Sequence, residues 1–151
     1  MPVIQYRKVI EADLPFIARL LADWQTAEYW NRRLSGYYRQ ELHPQKALLP
    51  RVMYVATDSG SIVGFIAGHL TERFGCDGEL QWINVKPEFR NAGIASGLLH
   101  LLAKWFLERN AFYICVDPGS EQSRKFYAKH GAENLNNHWM GWKDISIILR
   151  T

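Results

Sequence analysis

A strand, helix, strand unit between residues 79 and 116 constrains the fold of this chain more than any other feature of its sequence. Residues 79–85 are strand-like, and the Lys-Pro pair that follows ends the strand. Apolar residues at helical spacing cover a broad face of residues 94–109, and residues 112–116 form a short apolar run suited to a buried strand. A helix that joins two strands of one sheet makes a right-handed crossover, so we expect these two strands to run parallel.

The first 50 residues predict one strand followed by helices. Residues 3–10 alternate loosely between polar and apolar and indicate a strand. Asp13 then predicts a helix N-cap, with Pro15 in the first turn and apolar residues at helical spacing after it. The stretch 24–50 is irregular, rich in aromatic residues and locally basic, and we interpret it as one or two further helical pieces.

A hairpin precedes the central unit, and a helix and a strand follow it. Residues 53–57 and 62–69 are strand-like, and the Asp-Ser-Gly between them tolerates a tight turn, which predicts an antiparallel hairpin. A helix is expected over residues 121–130, with Gly131 as its left-handed stop. Residues 144–149 indicate a terminal strand. The elements together predict an α/β domain with a mixed sheet.

Length and composition predict a single globular domain. The chain has 151 residues and a mass of 17.5 kDa, which leaves no room for a second domain because domains cluster near ~100 to 150 residues. Its 48% hydrophobic and 22% charged residues exclude the disordered, collagen-like and disulfide-scaffold classes. Because no repeat or linker interrupts the chain, we assign residues 1–151 to one domain.

Hydropathy and charge limit the partners of the chain. Its longest mainly apolar stretch, residues 94–107, is shorter than the ~18 to 20 residues of a membrane span, and the N-terminus lacks a secretory pattern. We therefore expect no membrane contact and a reducing, cytoplasmic setting. The net charge of +3 comes from 18 basic and 15 acidic residues mixed along the chain, which argues against a nucleic-acid partner. The five histidines and two cysteines show no zinc-type spacing, so no metal site is predicted.

The turn between the fourth strand and the long helix is suited to holding an anion. Its sequence is Arg90-Asn91-Ala92-Gly93-Ile94-Ala95. The first N–H groups of a helix lack intrahelical partners and carry partial positive charge, so they can bind a phosphate through the backbone alone. Neither a Walker-type nor a dinucleotide-type glycine loop is present. Taken alone, the turn is equally compatible with a plain helix start.

The sequence resembles the GNAT superfamily of acyl-CoA N-acyltransferases. The family's pyrophosphate signature, Arg or Gln followed by x-x-Gly-x-Gly or Ala, is met by Arg90, Gly93 and Ala95. Residues 123–132 resemble the next family motif, in which a Phe-Tyr pair lies on a helix four residues before a glycine. The resemblance covers roughly residues 54–132. It implies a mixed, largely antiparallel sheet of about six to seven strands and about four flanking helices, with a central parallel pair splayed to admit the cofactor.

The resemblance implies acetyl-CoA as cosubstrate. The backbone N–H groups of residues 91–96 would hold the pyrophosphate, with added charge from Arg90, and the strand edge at residues 83–85 would bind the pantetheine arm. Ser120 stands where many members have an asparagine that contacts this arm, although it also suits a helix N-cap. The implied cofactor-binding residues are Ile83, Asn84, Val85, Arg90, Asn91, Ala92, Gly93, Ile94, Ala95, Ser96 and Ser120.

The resemblance also implies an acid and a base. Tyr127 matches the family's general acid, which protonates the departing thiolate; the alternative is a helix tyrosine packed against the sheet. Glu79 lies where histone-acetylating relatives carry their catalytic glutamate; the alternative is a solvated glutamate at a strand entrance. Strand alternation sends Glu79, Gln81 and Ile83 to one face, so Gln81 could order a water between Glu79 and the amine. Cys115 stands where protein N-terminal acetylating relatives tend to have glutamate, so that base is missing here.

The acceptor is less constrained than the cofactor. Trp30, His138 and Gln81 are the candidate substrate contacts. The aromatic residues between positions 24 and 38 favour an amphipathic or aromatic small amine, whereas the basic residues at positions 32, 33 and 39 argue against a polycation.

The function predicted from the sequence is transfer of an acetyl group from acetyl-CoA to a primary amine by direct attack in a ternary complex. Two alternatives remain open. One is a protein or other macromolecular amine as acceptor, and the other is a non-catalytic module that binds or senses acyl-CoA. Members of the family are often dimers, so a homodimer is a further expectation.

Overall fold

The strands of this protein form one seven-stranded sheet. The computed structural model describes residues 3–22, 25–41 and 47–150, apart from the side chains of residues 47–49. The strand order is β1-β2-β3-β4-β5-β7-β6, and every neighbouring pair is antiparallel except β4 and β5. The mixed, largely antiparallel sheet and its parallel pair confirm the predicted fold class. The strands are β1 (Ile4–Lys8), β2 (Ala47–Asp58), β3 (Ser61–Thr71), β4 (Gly78–Val85), β5 (Ile114–Val116), β6 (Glu133–Asn134) and β7 (Met140–Trp142).

Helices cover both faces of the sheet. In the described part of the chain the α-helices are α1 (Leu14–Leu20), α2 (Ala27–Tyr38), α3 (Ile94–Leu107) and α4 (Glu121–Lys129), and 3-10 turns lie at Glu11–Asp13, Arg73–Gly75, Pro87–Phe89 and Ile145–Arg150. Side chains of α1 and α2 pack with one face of β2 and β3 in a single hydrophobic cluster. Side chains of α3 and α4 pack on the other face in a second cluster. None of the helices described here combines the length and the hydrophobicity that crossing a bilayer requires.

The hairpin and the central crossover form as predicted. Ser59 and Gly60 connect β2 to β3 with φ angles of 50° and 89°, the pair of positive values that a two-residue hairpin turn requires. β4 and β5 pair in parallel, with α3 as the crossover between them. Gly131, with φ at 96°, follows α4 as the expected stop.

A bulge in β4 changes which side chains share a face. Gly68 pairs with Leu80 and Ala67 with Trp82, so Gln81 has no partner on β3. Leu80 and Ile83 consequently pack with the α3 cluster, whereas Trp82 packs with the α2 cluster. Glu79 lies 3.6 Å from His69 on the α2 side. The prediction that Glu79, Gln81 and Ile83 share one face is therefore wrong, because the extra residue breaks the two-residue alternation.

The C-terminal segment differs from its prediction. Residues 144–149 were expected as a strand, but residues Ile145–Arg150 form a 3-10 helix. Asp144 begins it by accepting the N–H of Ser146 at 3.0 Å, and the buried Ile145 and Ile148 are three residues apart, which places them on one side of a 3-10 turn. The final strands are instead β6 and β7, which are too short to show alternation in the sequence.

The helical interpretation of residues 24–50 is correct only in part. α2 begins after Thr26, whose hydroxyl accepts the N–H of Tyr29 at 3.0 Å. Residues 47–50 belong to β2, so the helical interpretation is wrong there, because pairing with the far end of β3 extends the strand. Residues 23–24 and 42–46 lie outside the described part of the chain.

Asp13 joins β1 to the start of α1. It occupies the predicted N-cap position, but its carboxylate bonds to no N–H of α1. The carboxylate instead accepts both terminal nitrogens of Arg7, at 2.7 and 2.9 Å, and the N–H of Ile10 at 2.8 Å. The hydrogen bonds from Arg7 hold the pKa of Asp13 below its usual range, although burial opposes this. The ion pair therefore stabilises the fold above the unfolded pKa of ~3.9, and this contribution is lost as pH falls.

We expect Asp13→Asn to lower the free energy of unfolding by about 1.5–3 kcal/mol at pH 7, because it removes charge-assisted hydrogen bonds from a nearly buried carboxylate. The variant should also lose less stability than the unchanged protein between pH 5 and pH 3. Urea denaturation at both pH values measures this. Glu11→Gln is the control, since Glu11 pairs with Arg39 at the exposed surface and should change stability by less than about 1 kcal/mol. Equal pH dependence in the Asp13 variant and the unchanged protein would contradict the assignment.

Candidate active site

A cleft of about 720 Å³ lies between the end of β4, the start of α3 and the length of α4. Its lining contains no carboxylate, but it includes Arg90, Lys125, Lys129 and His130. Such a lining favours an anionic ligand. Of the residues predicted to act in catalysis or cofactor binding, it contains Ile83, Asn84, Val85, Arg90, Asn91, Gly93, Ile94, Ala95, Ser96, Ser120 and Tyr127.

The cleft exists because the parallel pairing of β4 with β5 is short. It extends only from Gly78 opposite Ile114 to Leu80 opposite Val116. Beyond that point β5 ends and the chain turns away into α4, while β4 continues to Val85. The last residues of β4 therefore have no strand beside them on this edge, and their backbone is available to a ligand. This is the splayed parallel pair expected from the resemblance.

The first turn of α3 faces the same cleft. Gly93 occupies the N-cap position with φ at 81°, and no side chain caps the helix there. Gly93, Ile94, Ala95 and Ser96 all line the cleft, so the N-terminal N–H groups of α3 are available to an anion. Arg90 is anchored beside this turn, because its Nε donates to the carbonyl oxygen of Val85 at 3.0 Å.

Tyr127 connects the cleft to the core. It lines the cleft, yet only 3% of it is exposed, and its ring packs edge-on against Trp142 at 5.8 Å. Burial raises the pKa of its phenol, and the nearby carboxylate of Asp117 adds to the effect. The phenol therefore stays protonated at neutral pH and can serve as a proton donor. Ser120 caps α4 by accepting the N–H of Ser123 at 3.1 Å, so the capping role expected for it is present.

A histidine contact ties the two helices of the cleft together. Nδ1 of His130 lies 2.9 Å from the carbonyl oxygen of Phe126, which can only accept, so Nδ1 carries the ring proton. Nε2 then accepts the hydroxyl of Ser96 at 2.9 Å. No sequence motif identifies His130, Lys125 or Lys129 as site residues. Only His130, three residues after Tyr127, has a helical spacing that could have identified it, because side chains two residues apart, as Lys125 and Lys129 are from Tyr127, do not share a helix face.

A buried polar network lies on the other face of the sheet, beneath α2. Oε1 of Glu79 accepts Nε of Arg73 at 2.9 Å and lies 3.6 Å from Nε2 of His69. Nδ1 of His69 lies 2.7 Å from the hydroxyl of Tyr37. Burial raises the pKa of Tyr37 well above its usual value, so its hydroxyl stays protonated at neutral pH. Nε2 of His69 faces Glu79 and has no hydrogen-bond partner among the described residues.

Five of the predicted residues do not line the cleft. They are Ala92, Glu79, Gln81, Trp30 and His138. Glu79 is 4% exposed, so it is not the solvated residue of the alternative interpretation. Trp30 lies on α2 and meets Trp82 edge-on at 6.2 Å. His138 lies on the turn before β7, where Nε2 contacts Asp117 at 2.7 Å.

Cys115 and a second cleft lie outside this arrangement. Burial raises the pKa of the Cys115 thiol, so it remains protonated and unreactive at neutral pH. A cleft of about 610 Å³ beside α1 contains none of the predicted site residues. Within the described residues, no group of three or more His, Cys, Asp and Glu side chains is arranged to hold a metal ion.

Comparison with known proteins identifies the family. Residues 16–132 match the model of the Acetyltransferase (GNAT) family. A search of curated protein sequences finds no significant match.

Solved structures share the fold at low sequence identity. A GNAT-family protein from Desulfovibrio desulfuricans is 14% identical, with a TM-score of 0.74 over 95% of this chain and 99% of that one. The PaiA N-acetyltransferase from Thermoplasma acidophilum, solved with coenzyme A, is 18% identical, with a TM-score of 0.67 over 94% and 99% of the two chains. A ribosomal-protein-alanine N-acetyltransferase from Brucella melitensis is 21% identical, with a TM-score of 0.66 over 91% and 98%. The family match spans most of the sequence and the shared fold agrees with it, so this chain belongs to the GNAT acetyltransferase family.

Proposed function

We propose that this protein is an N-acetyltransferase that moves the acetyl group of acetyl-CoA to the primary amine of a small molecule. The observation that carries the proposal is the cleft itself, which joins the unpaired end of β4, the uncapped start of α3 and the phenol of Tyr127. These are the three kinds of group that an acyl-CoA thioester needs for binding and reaction.

The described residues fit coenzyme A. The N–H groups of the first turn of α3, with Arg90 beside them, are suited to the pyrophosphate, and no lining carboxylate would repel it. No strand pairs with Ile83–Val85 on the β5 side, so apart from the Val85 carbonyl oxygen, which accepts from Arg90, the backbone on that edge could pair with the amides of the pantetheine arm as an added strand would. With the pyrophosphate at the start of α3 and the pantetheine arm along β4, the thioester would lie near the point where β4 and β5 separate.

The proposed reaction is direct attack in a ternary complex. The neutral amine attacks the thioester carbonyl carbon, a C–N bond forms, and the C–S bond breaks. Tyr127 gives its proton to the departing thiolate and is reprotonated from solvent. The amine nitrogen loses one proton, so the products are an N-acetyl amide and the free thiol of coenzyme A.

The amine must be neutral before it attacks, and this decides how much a base contributes. At pH 7, deprotonating a lysine-like amine with a pKa of ~10.4 costs about 4.6 kcal/mol, whereas deprotonating an α-amino group with a pKa of ~7.7 costs only about 1 kcal/mol. Glu79 is our candidate base, acting through water. Its carboxylate lies near His69 on the α2 side of β4, so an amine that Glu79 serves would approach from that side.

Tyr127→Phe should lower turnover by ~100-fold or more and change coenzyme A affinity little, because it removes the proton donor and keeps the ring packing. Release of coenzyme A thiol from acetyl-CoA, measured against a panel of small amines, polyamines and peptides, tests this. Tyr113→Phe is the matched control, since Tyr113 lies outside the cleft. Unchanged turnover would remove Tyr127 from the mechanism.

The same panel separates the alternatives. Release with peptides alone would replace the small molecule by a macromolecular acceptor. Coenzyme A binding without release from any amine would leave only the binding or sensing module.

Glu79→Gln should slow acetylation of a lysine-like amine by ~10- to 100-fold at pH 7 and affect an α-amino acceptor less. The loss should shrink towards pH 9, because a larger share of the amine is then already neutral. Rates measured from pH 6 to pH 9 for both amine types test this, with the exposed Glu88→Gln as control. Identical rates for Glu79→Gln and the unchanged enzyme across that range would exclude Glu79 as the base.

A further inference from the structure

Arg33 of α2 is a half-buried cation without a carboxylate partner among the described residues. Its guanidinium lies over the ring of Trp82 at 5.7 Å and the ring of Tyr29 at 5.9 Å. Its Nε is buried and has no hydrogen-bond partner. The neighbouring Arg32 differs in every respect, because its side chain is 79% exposed and pairs with Glu28 at 3.8 Å.

Burying part of a cation costs free energy unless an anion or a hydrogen-bond acceptor pairs with it. A buried guanidinium N–H that has given up water and gained no acceptor loses the free energy of a hydrogen bond. Stacking on Trp82 recovers part of this through cation–π attraction. The planar fork of arginine matches a carboxylate in a bidentate geometry, so a carboxylate is the chemical group that would complete the site.

A second polar atom beside Trp82 also lacks a partner. Oε1 of Gln81 is buried without a hydrogen bond, and it is an acceptor that needs an N–H donor. Gln81 is the bulged residue directly before Trp82. An unsatisfied acceptor on Gln81 and a cation on Arg33, which stacks on the following residue Trp82, together are the complement of a molecule with both an amine and a carboxylate.

The location connects this surface to the reaction proposed above. Trp82 lies two residues beyond Leu80, where β4 and β5 stop pairing. The cleft for the thioester lies on the α3 and α4 side of this opening, and Trp82 packs on the α2 side. An amine that enters beneath α2 would reach the thioester through the opening between the strands.

We infer that the acceptor is a carboxylated aromatic amine, such as an aromatic amino acid, whose carboxylate Arg33 binds over the ring of Trp82 while Gln81 accepts an N–H of the reacting amine. The inference rests on the proposed acetyl transfer and adds the class of its acceptor. The partly exposed rings of Trp82 and Tyr29 beside Arg33 offer aromatic contacts to such a molecule, and the positive charge disfavours a polyamine.

Paired acceptors test the inference. Thiol release from acetyl-CoA is measured with phenylalanine against 2-phenylethylamine and with tryptophan against tryptamine. The unchanged enzyme should show a higher kcat/KM for the carboxylated member of a pair. Arg33→Gln should raise KM for that member by ~10- to 100-fold, the range for a charge-assisted hydrogen bond, while kcat and the rate with the decarboxylated partner stay within twofold.

Two further variants complete the design. Arg32→Gln is the matched control and should change no rate, since Arg32 points to solvent. Arg33→Lys keeps the charge but loses the planar fork, so it should give an intermediate KM even if Arg33→Gln folds poorly.

The outcomes separate this inference from the proposed function. Thiol release that is equally fast with both members of each pair, or that Arg33→Gln slows equally for both, overturns the carboxylate inference and leaves acetyl transfer standing. Thiol release with some other amine, but with none of these four, also overturns the carboxylate inference and leaves acetyl transfer standing. Absence of release with every amine overturns both.

Discussion

The short parallel pairing between β4 and β5 is the constraint on which the rest of the site depends. Only three residue pairs join the two strands, from Gly78 opposite Ile114 to Leu80 opposite Val116. The end of β4 therefore has no partner strand on that edge, and it lines a cleft together with the start of α3 and the length of α4. If β5 continued beside β4, the cleft would be filled by backbone. The uncapped first turn of α3 would then face no continuous groove.

The sheet separates two chemically different environments. On the α3 and α4 side the cleft has cationic lining residues and no carboxylate. On the α2 side, Arg73 donates to Glu79, Nε2 of His69 lies 3.6 Å from the same carboxylate, and Arg33 stacks on Trp82. A cosubstrate and an acceptor that enter from opposite faces would meet where the strands part, without competing for the same groups. The bulge at Gln81 makes this division possible, because it turns Glu79 and Ile83 to opposite faces.

The sequence predicts the pairing of the central strands better than it predicts the side-chain contacts on the α2 side of the sheet. The crossover from β4 to β5 follows from helical periodicity between two strand-like runs, and the β2–β3 hairpin from its turn residues. The bulge leaves no signal in a single sequence, since one extra residue in a strand looks like continued alternation. The contact between Tyr37 and His69 joins residues 32 positions apart, and no local pattern specifies it. The sequence predicts a strand where Ile145–Arg150 form a 3-10 helix, because a short apolar run suits either structure.

The most direct test of the central claim, that the cleft at the start of α3 holds coenzyme A, is calorimetric titration of coenzyme A into the unchanged protein and Gly93→Val. The φ of 81° at Gly93 is unfavourable for a β-branched residue, so the variant must distort the turn that would carry the pyrophosphate. Gly60→Val is the matched control, because Gly60 has a φ of 89° in the β2–β3 turn and does not line the cleft. We predict that the unchanged protein and Gly60→Val bind coenzyme A, and that Gly93→Val binds it at least about tenfold more weakly. Equal affinity in all three proteins, or no binding by the unchanged protein, would contradict the claim.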